Sequence, residues 1–166
     1  NLSTPEDTPL AITLTATDGN AGDVLTYSVL TQPTNGTLAV VGASVTYTPN
    51  LNYNGPDSFT FKANDGKADS NTGTISITVT AVNDLPIANN QSVSTNEDTP
   101  VAITLVATDV DVPTTLTYSI VTPPANGTLS VISGAGVTYT PNLNYNGPDS
   151  FQSLKPRAYR PAPLPS

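Results

Sequence analysis

Tyr47-Thr48-Pro49-Asn50-Leu51-Asn52-Tyr53-Asn54-Gly55-Pro56-Asp57-Ser58-Phe59 returns without a change as Tyr139 to Phe151, 92 positions later. Outward from it, Glu6-Asp7-Thr8-Pro9 returns as Glu97-Asp98-Thr99-Pro100, and Leu25-Thr26-Tyr27-Ser28 as Leu116-Thr117-Tyr118-Ser119, both 91 positions later. The change of offset marks one inserted residue near Ala135, in the kind of turn where loops accept insertions. The chain is therefore a tandem repeat. A period of about 91 residues is close to the size of a small β-sandwich.

Within the repeat the apolar residues alternate with polar ones. Leu10, Ile12, Leu14 and Ala16 form one such series, followed by Leu25, Tyr27 and Val29, then Val45 and Tyr47, then Phe59, Phe61 and Ala63, then Ile75, Ile77, Val79 and Ala81. A period of two places one strand face in a core and the other in water. Threonine and serine fill the outward positions, where β-branched threonine suits an extended backbone. Asn35-Gly36, Pro49-Asn50, Asn54-Gly55-Pro56 and Asn64-Asp65-Gly66 punctuate the runs with turn chemistry. The expected fold class is all-β: tandem seven-stranded Greek-key sandwiches of the immunoglobulin-like kind.

Both repeats look clipped. The first lacks the counterpart of Asn89 to Ser94, and so most of a first strand; the second stops matching after Phe151, before its last two strands. The expected division is 1–85 for repeat 1, 86–151 for repeat 2 and 152–166 for a non-repeat tail. That tail, Gln152 to Ser166, holds three of the five basic residues and four prolines, and reads as disordered and foreign to the repeat. In repeat 2 a short first strand is expected over Asn89 to Thr95. The two lost strands would remove roughly six inward apolar side chains worth about 1.5–3 kcal/mol each, which predicts a marginal second repeat.

All thirteen acidic residues lie in the repeats against Lys62 and Lys67 alone, a formal charge of −11 there. Nucleic acid and anionic membranes are disfavoured partners for such a surface. The absence of cysteine and histidine removes disulfides, thiolate zinc sites and imidazole-based triads. No apolar run approaches the length of a membrane span, so no membrane insertion is expected.

The carboxylates gather where strands end: Glu6-Asp7, Asp18 with Asp23, Asp57, Asp65 with Asp69, Asp84, Glu97-Asp98, Asp109 with Asp111, and Asp149. Calcium takes about six to eight oxygen ligands from carboxylates, amides and main-chain carbonyls, a mixture such loops supply. Turn formation is the competing reading at several of them. Asp65 suits the Asn64-Asp65-Gly66 turn and Asp57 suits an Asx turn at a strand start. The spaced pair Asp109 and Asp111, and Asp84 in the proline-terminated joint Thr80-Ala81-Val82-Asn83-Asp84-Leu85-Pro86, fit a turn less well.

Asn96-Glu97-Asp98-Thr99-Pro100, Ala107-Thr108-Asp109-Val110-Asp111, Asn52 to Phe59, Ala63-Asn64-Asp65-Gly66 and Ala81 to Pro86 occur in the order found in a known family. Through them the chain, from Asn1 to Phe151, resembles the bacterial cadherin-like tandem repeats of large secreted RTX-type adhesins. The resemblance implies calcium between consecutive repeats, with Glu6, Asp57, Asn83, Asp84, Asp109 and Asp111 as its metal ligands. It implies Asp18 and Asp65 toward a preceding repeat, and Glu97 and Asp149 toward a following one. The chain departs from the cadherin pattern where Asp18 and Asp23 are spread over a longer loop than Asp109 and Asp111, where Asp57 stands alone, and where the linker is short of ligands. These departures imply fewer or weaker ions.

The expected function is that of a non-catalytic, calcium-binding spacer or adhesion module at the cell surface or outside the cell. Its partners would be neighbouring repeats of the same chain, with a cell-surface glycan or adhesin as a further one. A polysaccharide- or protein-binding sandwich is the alternative. The tyrosines, placed mostly on alternating strand faces, do not favour the flat aromatic row that a glycan platform needs. An enzyme is not expected, because the paired carboxylates recur at the loop ends of each repeat as a scaffold would have them.

Overall fold

The computed structural model describes residues 2–19, 23–111, 115–153 and 157–159. The chain divides into two compact units, Asn1–Val82 and Asn83–Ser166.

The first unit contains β1 (Leu2–Pro5), β2 (Leu10–Thr13), β3 (Thr26–Thr31), β4 (Gly36–Val41), β5 (Ser44–Pro49), β6 (Gly55–Asn64) and β7 (Gly73–Thr80). They form two sheets, β1-β7-β6-β3 and β2-β5-β4. All pairings are antiparallel except β1 with β7, which run parallel. This is a seven-stranded Greek-key sandwich, and the alternation read from the sequence explains it. Val45 and Tyr47 of β5, Phe59 of β6 and Ile77 of β7 are almost wholly buried between the sheets, while the intervening Thr46, Thr48, Ser58 and Thr78 face water. The first strand forms as Leu2 to Pro5 add to the edge of β7.

Gly36 shows how closely a ring lies over the neighbouring strand of its own sheet. A Cβ there would lie 2.4 Å from the Tyr47 ring and 2.7 Å from the Thr48 carbonyl oxygen, so only glycine lets the ring lie flat on β4.

The second unit repeats part of this plan. Its strands are β8 (Ile87–Ala88), β9 (Val101–Thr104), β10 (Ala107–Thr108), β11 (Thr115–Thr117), β12 (Ile120–Thr122), β13 (Gly127–Leu129), β14 (Gly136–Pro141), β15 (Gln152–Ser153) and β16 (Arg157–Tyr159). The sheet β13-β14-β9 reproduces β4-β5-β2, and Gly127 lies against Tyr139 as Gly36 does against Tyr47. The other sheet is reduced to the pairs β12-β15 and β11-β16.

Two expectations are corrected here. The short first strand over Asn89 to Thr95 does not form: residues 89–96 lie outside any strand. In the first unit that strand is held by β7, and the described residues of the second unit contain no counterpart of β7 to hold it. The tail is not disordered throughout. Gln152–Ser153 pair with Ile120–Thr122, and Arg157–Tyr159 with Thr115–Thr117, so main-chain bonding extends the β6-like strand whatever side chains follow Phe151. The remainder of the tail lies outside the described residues. Among the described residues there is no helix, hence none long and apolar enough to cross a membrane.

Candidate functional site

Four of the six sequence-predicted ligands, Asn83, Asp84, Asp109 and Asp111, lie in the second unit. There the segment before β8 meets the loop after β10. The Asp84 main-chain N–H donates to Asp111 Oδ2 at 2.7 Å, and the Asp111 N–H donates to Asp109 Oδ1 at 3.0 Å. The Asn83 side-chain amide donates to the Asp84 carbonyl, which fixes the asparagine beside the group. The two-residue spacing of Asp109 and Asp111 closes an Asx turn, with the Asp109 carboxylate accepting from the Asp111 main chain.

One oxygen of this group lacks what the others have. Asp109 Oδ2 is buried and receives no hydrogen bond among the described residues. A buried carboxylate oxygen without a donor is costly, by about 1–3 kcal/mol or more for a charged group. Either a hydrogen-bond donor or a cation would satisfy it. The residues present thus fit a hard, oxygen-seeking ion such as calcium.

Glu6 and Asp57 lie in the first unit. Glu6 is only 4% exposed. Its Oε1 accepts from the Val82 N–H and its Oε2 from the Asn54 side-chain amide at 3.4 Å, so it grips the end of the segment that follows β7. Each oxygen keeps further acceptor capacity.

Asp57 is placed for a different task from the predicted one. Its Oδ1 accepts from the Thr34 and Ser58 N–H groups at 3.0 and 2.8 Å, and its Oδ2 from the Asn35 N–H at 3.0 Å and the Tyr47 hydroxyl at 2.9 Å. Four donors fill the roughly four lone-pair positions of an ionised carboxylate. Burial, then the Asp57 charge, pushes the Tyr47 phenol well above its ordinary pKa, so it stays a neutral donor. Asp57 ties the β3–β4 turn to β5 and β6. Asp149 does the same in the second unit, accepting from Ala125, Asn126, Ser150 and the Tyr139 hydroxyl.

The sequence reading did not single out the tyrosine–aspartate pairing, although Tyr47 and Asp57 stand ten residues apart in both copies of an unchanged stretch. It grouped Asp7 and Asp98 with the strand-end carboxylates without giving them a turn to hold. Both adopt positive φ, at 57° and 59°, and accept from the Asn52 and Asn144 N–H groups, themselves residues with positive φ. An identical Glu-Asp-Thr-Pro in each repeat was the available signal.

A second acidic group lies in the first unit, where oxygens of Asp18, Asp23 and Asp65 come within 4.8 Å of one another. It differs from the first in already holding positive charge. The Lys67 ammonium lies 3.0 Å from Asp23 Oδ2, and Asp65 Oδ1 accepts from the Lys67 and Ala68 N–H groups. The Ala68 and Lys67 hydrogen bonds hold the Asp65 carboxyl below the usual carboxylate range.

The family described as Bacterial Ig domain matches residues 1–78 and again residues 83–154. No curated protein matches the chain. Among solved structures, the chain is similar to protocadherin gamma B2 extracellular cadherin domains 3–6, at 14% identity and a TM-score of 0.49, over 93% of this chain and 44% of that one. It is also similar to chicken VE-cadherin EC1-2, at 20% identity and a TM-score of 0.38, over 87% and 80% of the two chains. An endo-fucoidan hydrolase of glycoside hydrolase family 107 gives 20% identity and a TM-score of 0.37, over 86% of this chain and 22% of that one. The chain thus spans less than half the length of the protocadherin and of the hydrolase.

Proposed function

The chain belongs to the bacterial Ig domain family, and on that premise we propose that it is a non-catalytic, calcium-binding spacer or adhesion module acting outside the cell. The observation that carries this reading is the buried, donor-less Oδ2 of Asp109 beside Asp84 and Asp111. Asp84, Asp109 and Asp111 supply carboxylate oxygens and Asn83 an amide oxygen. Glu6 stays in the proposed set through the acceptor capacity it retains. Asp57 would join only by releasing one of its four donors, so its part is to hold the β3–β4 turn.

When bound, calcium supplies positive charge that offsets the mutual repulsion of these carboxylates. Within the first unit Glu6 takes the N–H of Val82, and within the second Asp111 takes the N–H of Asp84. Fixing residues 82–84 stiffens a string of repeats, which is the property a spacer needs. An affinity of about 10⁻⁴–10⁻³ M, usual for extracellular calcium modules, would make the stiffening a response to the outside medium. The RTX-type adhesin context, and any glycan or adhesin partner, belong to this same proposal.

The test is calorimetric calcium titration of the full chain, paired with thermal unfolding in calcium and in chelator. At a hundredfold excess over Kd, binding adds about 2.7 kcal/mol to the stability of the unit that holds the ion. Asp109→Asn is expected to abolish both the heat and the shift while leaving the first unit's unfolding unchanged. No heat and no shift up to 10 mM calcium, a concentration about 10–100 times that affinity range, would overturn the reading.

A further inference from the structure

We propose that β4 of the first unit is a self-association edge, which pairs antiparallel with β4 of a second copy of the chain. The sheet order β2-β5-β4 ends with it, so among the described residues it has a strand on one side and none on the other. Residues 24–56, which hold β3, β4, β5 and their connections, are all described, and no Asp, Glu, Lys or Arg occurs among them. The edges at the opposite side of the unit differ: β1 runs into Glu6-Asp7, and β2 lies between Asp7 and Asp18.

The ladder with β5 sets which main-chain groups are free. Asn50 N donates to Asn35 O at 2.8 Å, so residues of that parity, Thr37, Ala39 and Val41, turn their main-chain groups to β5, and Gly36, Leu38 and Val40 turn theirs outward. Pro49, opposite Gly36, has no N–H to give and agrees with this. Setting Leu38 opposite Leu38 of the second copy brings each Gly36 opposite the other copy's Val40, and each of these outward pairs exchanges two hydrogen bonds. The two three-stranded sheets become one. On the inner face Val40, which points the same way as the core-packed Leu38 and is still 41% exposed, gains cover. On the outer face Thr37 stands opposite Ala39 of the second copy.

Charge makes a second copy the fitting occupant. With a net charge of −8 on the chain, two copies repel wherever carboxylates meet, and a two-fold axis through an uncharged edge keeps them apart. The same lack of charge leaves nothing to recruit an oppositely charged partner. Proteins usually guard such edges with a charge, a proline or a bulge, and the comparable edges have a guard. In β3 the register shifts between Val29 and Thr31, and the Thr31 hydroxyl takes the Thr60 N–H. In the second unit Ser130 stands where β4 has Ala39; its hydroxyl takes the Thr138 N–H, the paired strand ends at Leu129, and β13 is three residues long where β4 is six. β4 keeps its full length without any of these devices. Adding a strand at such an edge draws its affinity from main-chain hydrogen bonds and its selectivity from alternate side chains. Calcium has no part in it.

The test is sedimentation equilibrium of the full chain in chelator and low salt, from about 1 μM to about 1 mM, a range suited to a contact smaller than the roughly 1,200 Å² of stable complexes. The average mass is expected to rise from one chain toward two. Amide exchange at Gly36, Leu38 and Val40 should slow as concentration rises, with that of β13 unchanged. Thr37→Glu with Ala39→Glu, at exposed positions pointing away from the core, sets like charges directly opposite one another and should weaken association by about tenfold or more. Thr37→Lys with Ala39→Lys should do the same alone. Mixing the two variants should restore association, because each introduced ammonium then meets a carboxylate, a recovery that unfolded chains would not give. A single-chain mass at the top of the concentration range, association of the glutamate variant as strong as the parent's, or no recovery on mixing would each overturn the proposal.

Discussion

Tyr47 and Phe59 in the first repeat are completely buried, whereas Tyr139 and Phe151, in an identical thirteen-residue stretch, are partly exposed. Their local surroundings match closely. Each tyrosine hydroxyl donates to the aspartate ten residues on, each aspartate collects the same main-chain donors, and the Tyr53 and Tyr145 hydroxyls bond the Pro56 and Pro148 carbonyls at 2.6 Å alike. The difference lies above the ring, where β7 covers the first core and the described residues of the second unit include no counterpart of it. Turns and clamps are therefore written within a short stretch of chain. Burial depends on a strand brought from elsewhere in the fold.

The largest expected consequence is an unequal response to the same truncation. Phe59→Ala removes a ring from a closed core and should destabilise the first unit by about 3–5 kcal/mol. Phe151→Ala removes a ring already partly exposed, and should cost the second unit less, about 1 kcal/mol, an ordinary value for a point substitution. Hydrogen exchange across a urea series reads each unit separately. Equal losses would mean that the second ring is as well covered in solution as the first and would break the contrast.

The fold was legible because its signals are local or periodic. Alternation in β5 to β7 located the inward residues, and the Asn-Gly and Asn-Gly-Pro pairs located turns. What alternation does not encode is which strand lies beside which. Residues 89–95 carry the pattern of a first strand but have no neighbour among the described residues to pair with them, and Gln152–Ser153 pair with β12 through main-chain groups that any side chain allows. The site was legible to the same degree. The spacing of Asp109 and Asp111 suggested a ligand pair, and the structure shows main-chain bonds from Asp111 to Asp109 and from Asp84 to Asp111. Asp57 looks the same in one dimension, and only its position opposite the Thr34 and Asn35 N–H groups gives it a turn to hold.

A smaller difference is expected at the glutamates of the two Glu-Asp-Thr-Pro stretches. Glu6 is buried with donors from Val82 and Asn54, and Glu97 is exposed. In chelator, so that only protein contacts count, Glu6→Ala should cost about 1–3 kcal/mol by leaving two donors unsatisfied. Glu97→Ala should stay within about 0.5 kcal/mol of the parent. Denaturant midpoints decide it, and a large effect at Glu97 would mean that this residue already holds a segment as Glu6 does.

The smallest effect concerns acid. Burial alone would raise the Asp149 pKa, but the N–H groups of Asn126, Ser150 and Ala125 and the Tyr139 hydroxyl outweigh it, and the carboxyl is held below its ordinary value of 3.8. A carboxyl whose folded pKa is depressed binds protons more readily when unfolded, so its contribution is complete above 3.8 and is lost as pH falls through the lower folded value. Asp149→Asn, which cannot titrate there, should flatten the dependence of the second unit's stability on pH below that point while leaving the first unit's slope alone. Tyr139 works at the opposite end. Burial, and then Asp149, raises its phenol above the ordinary 10.0, so the hydroxyl keeps donating until strongly alkaline pH and its share of the clamp disappears only as pH rises through the raised value. Acid unfolding of parent and variant, followed unit by unit, checks the first half. Matching slopes for the two would show that Asp149 is not clamped in solution, and the local likeness of the repeats would then fail at the residue where it looks closest.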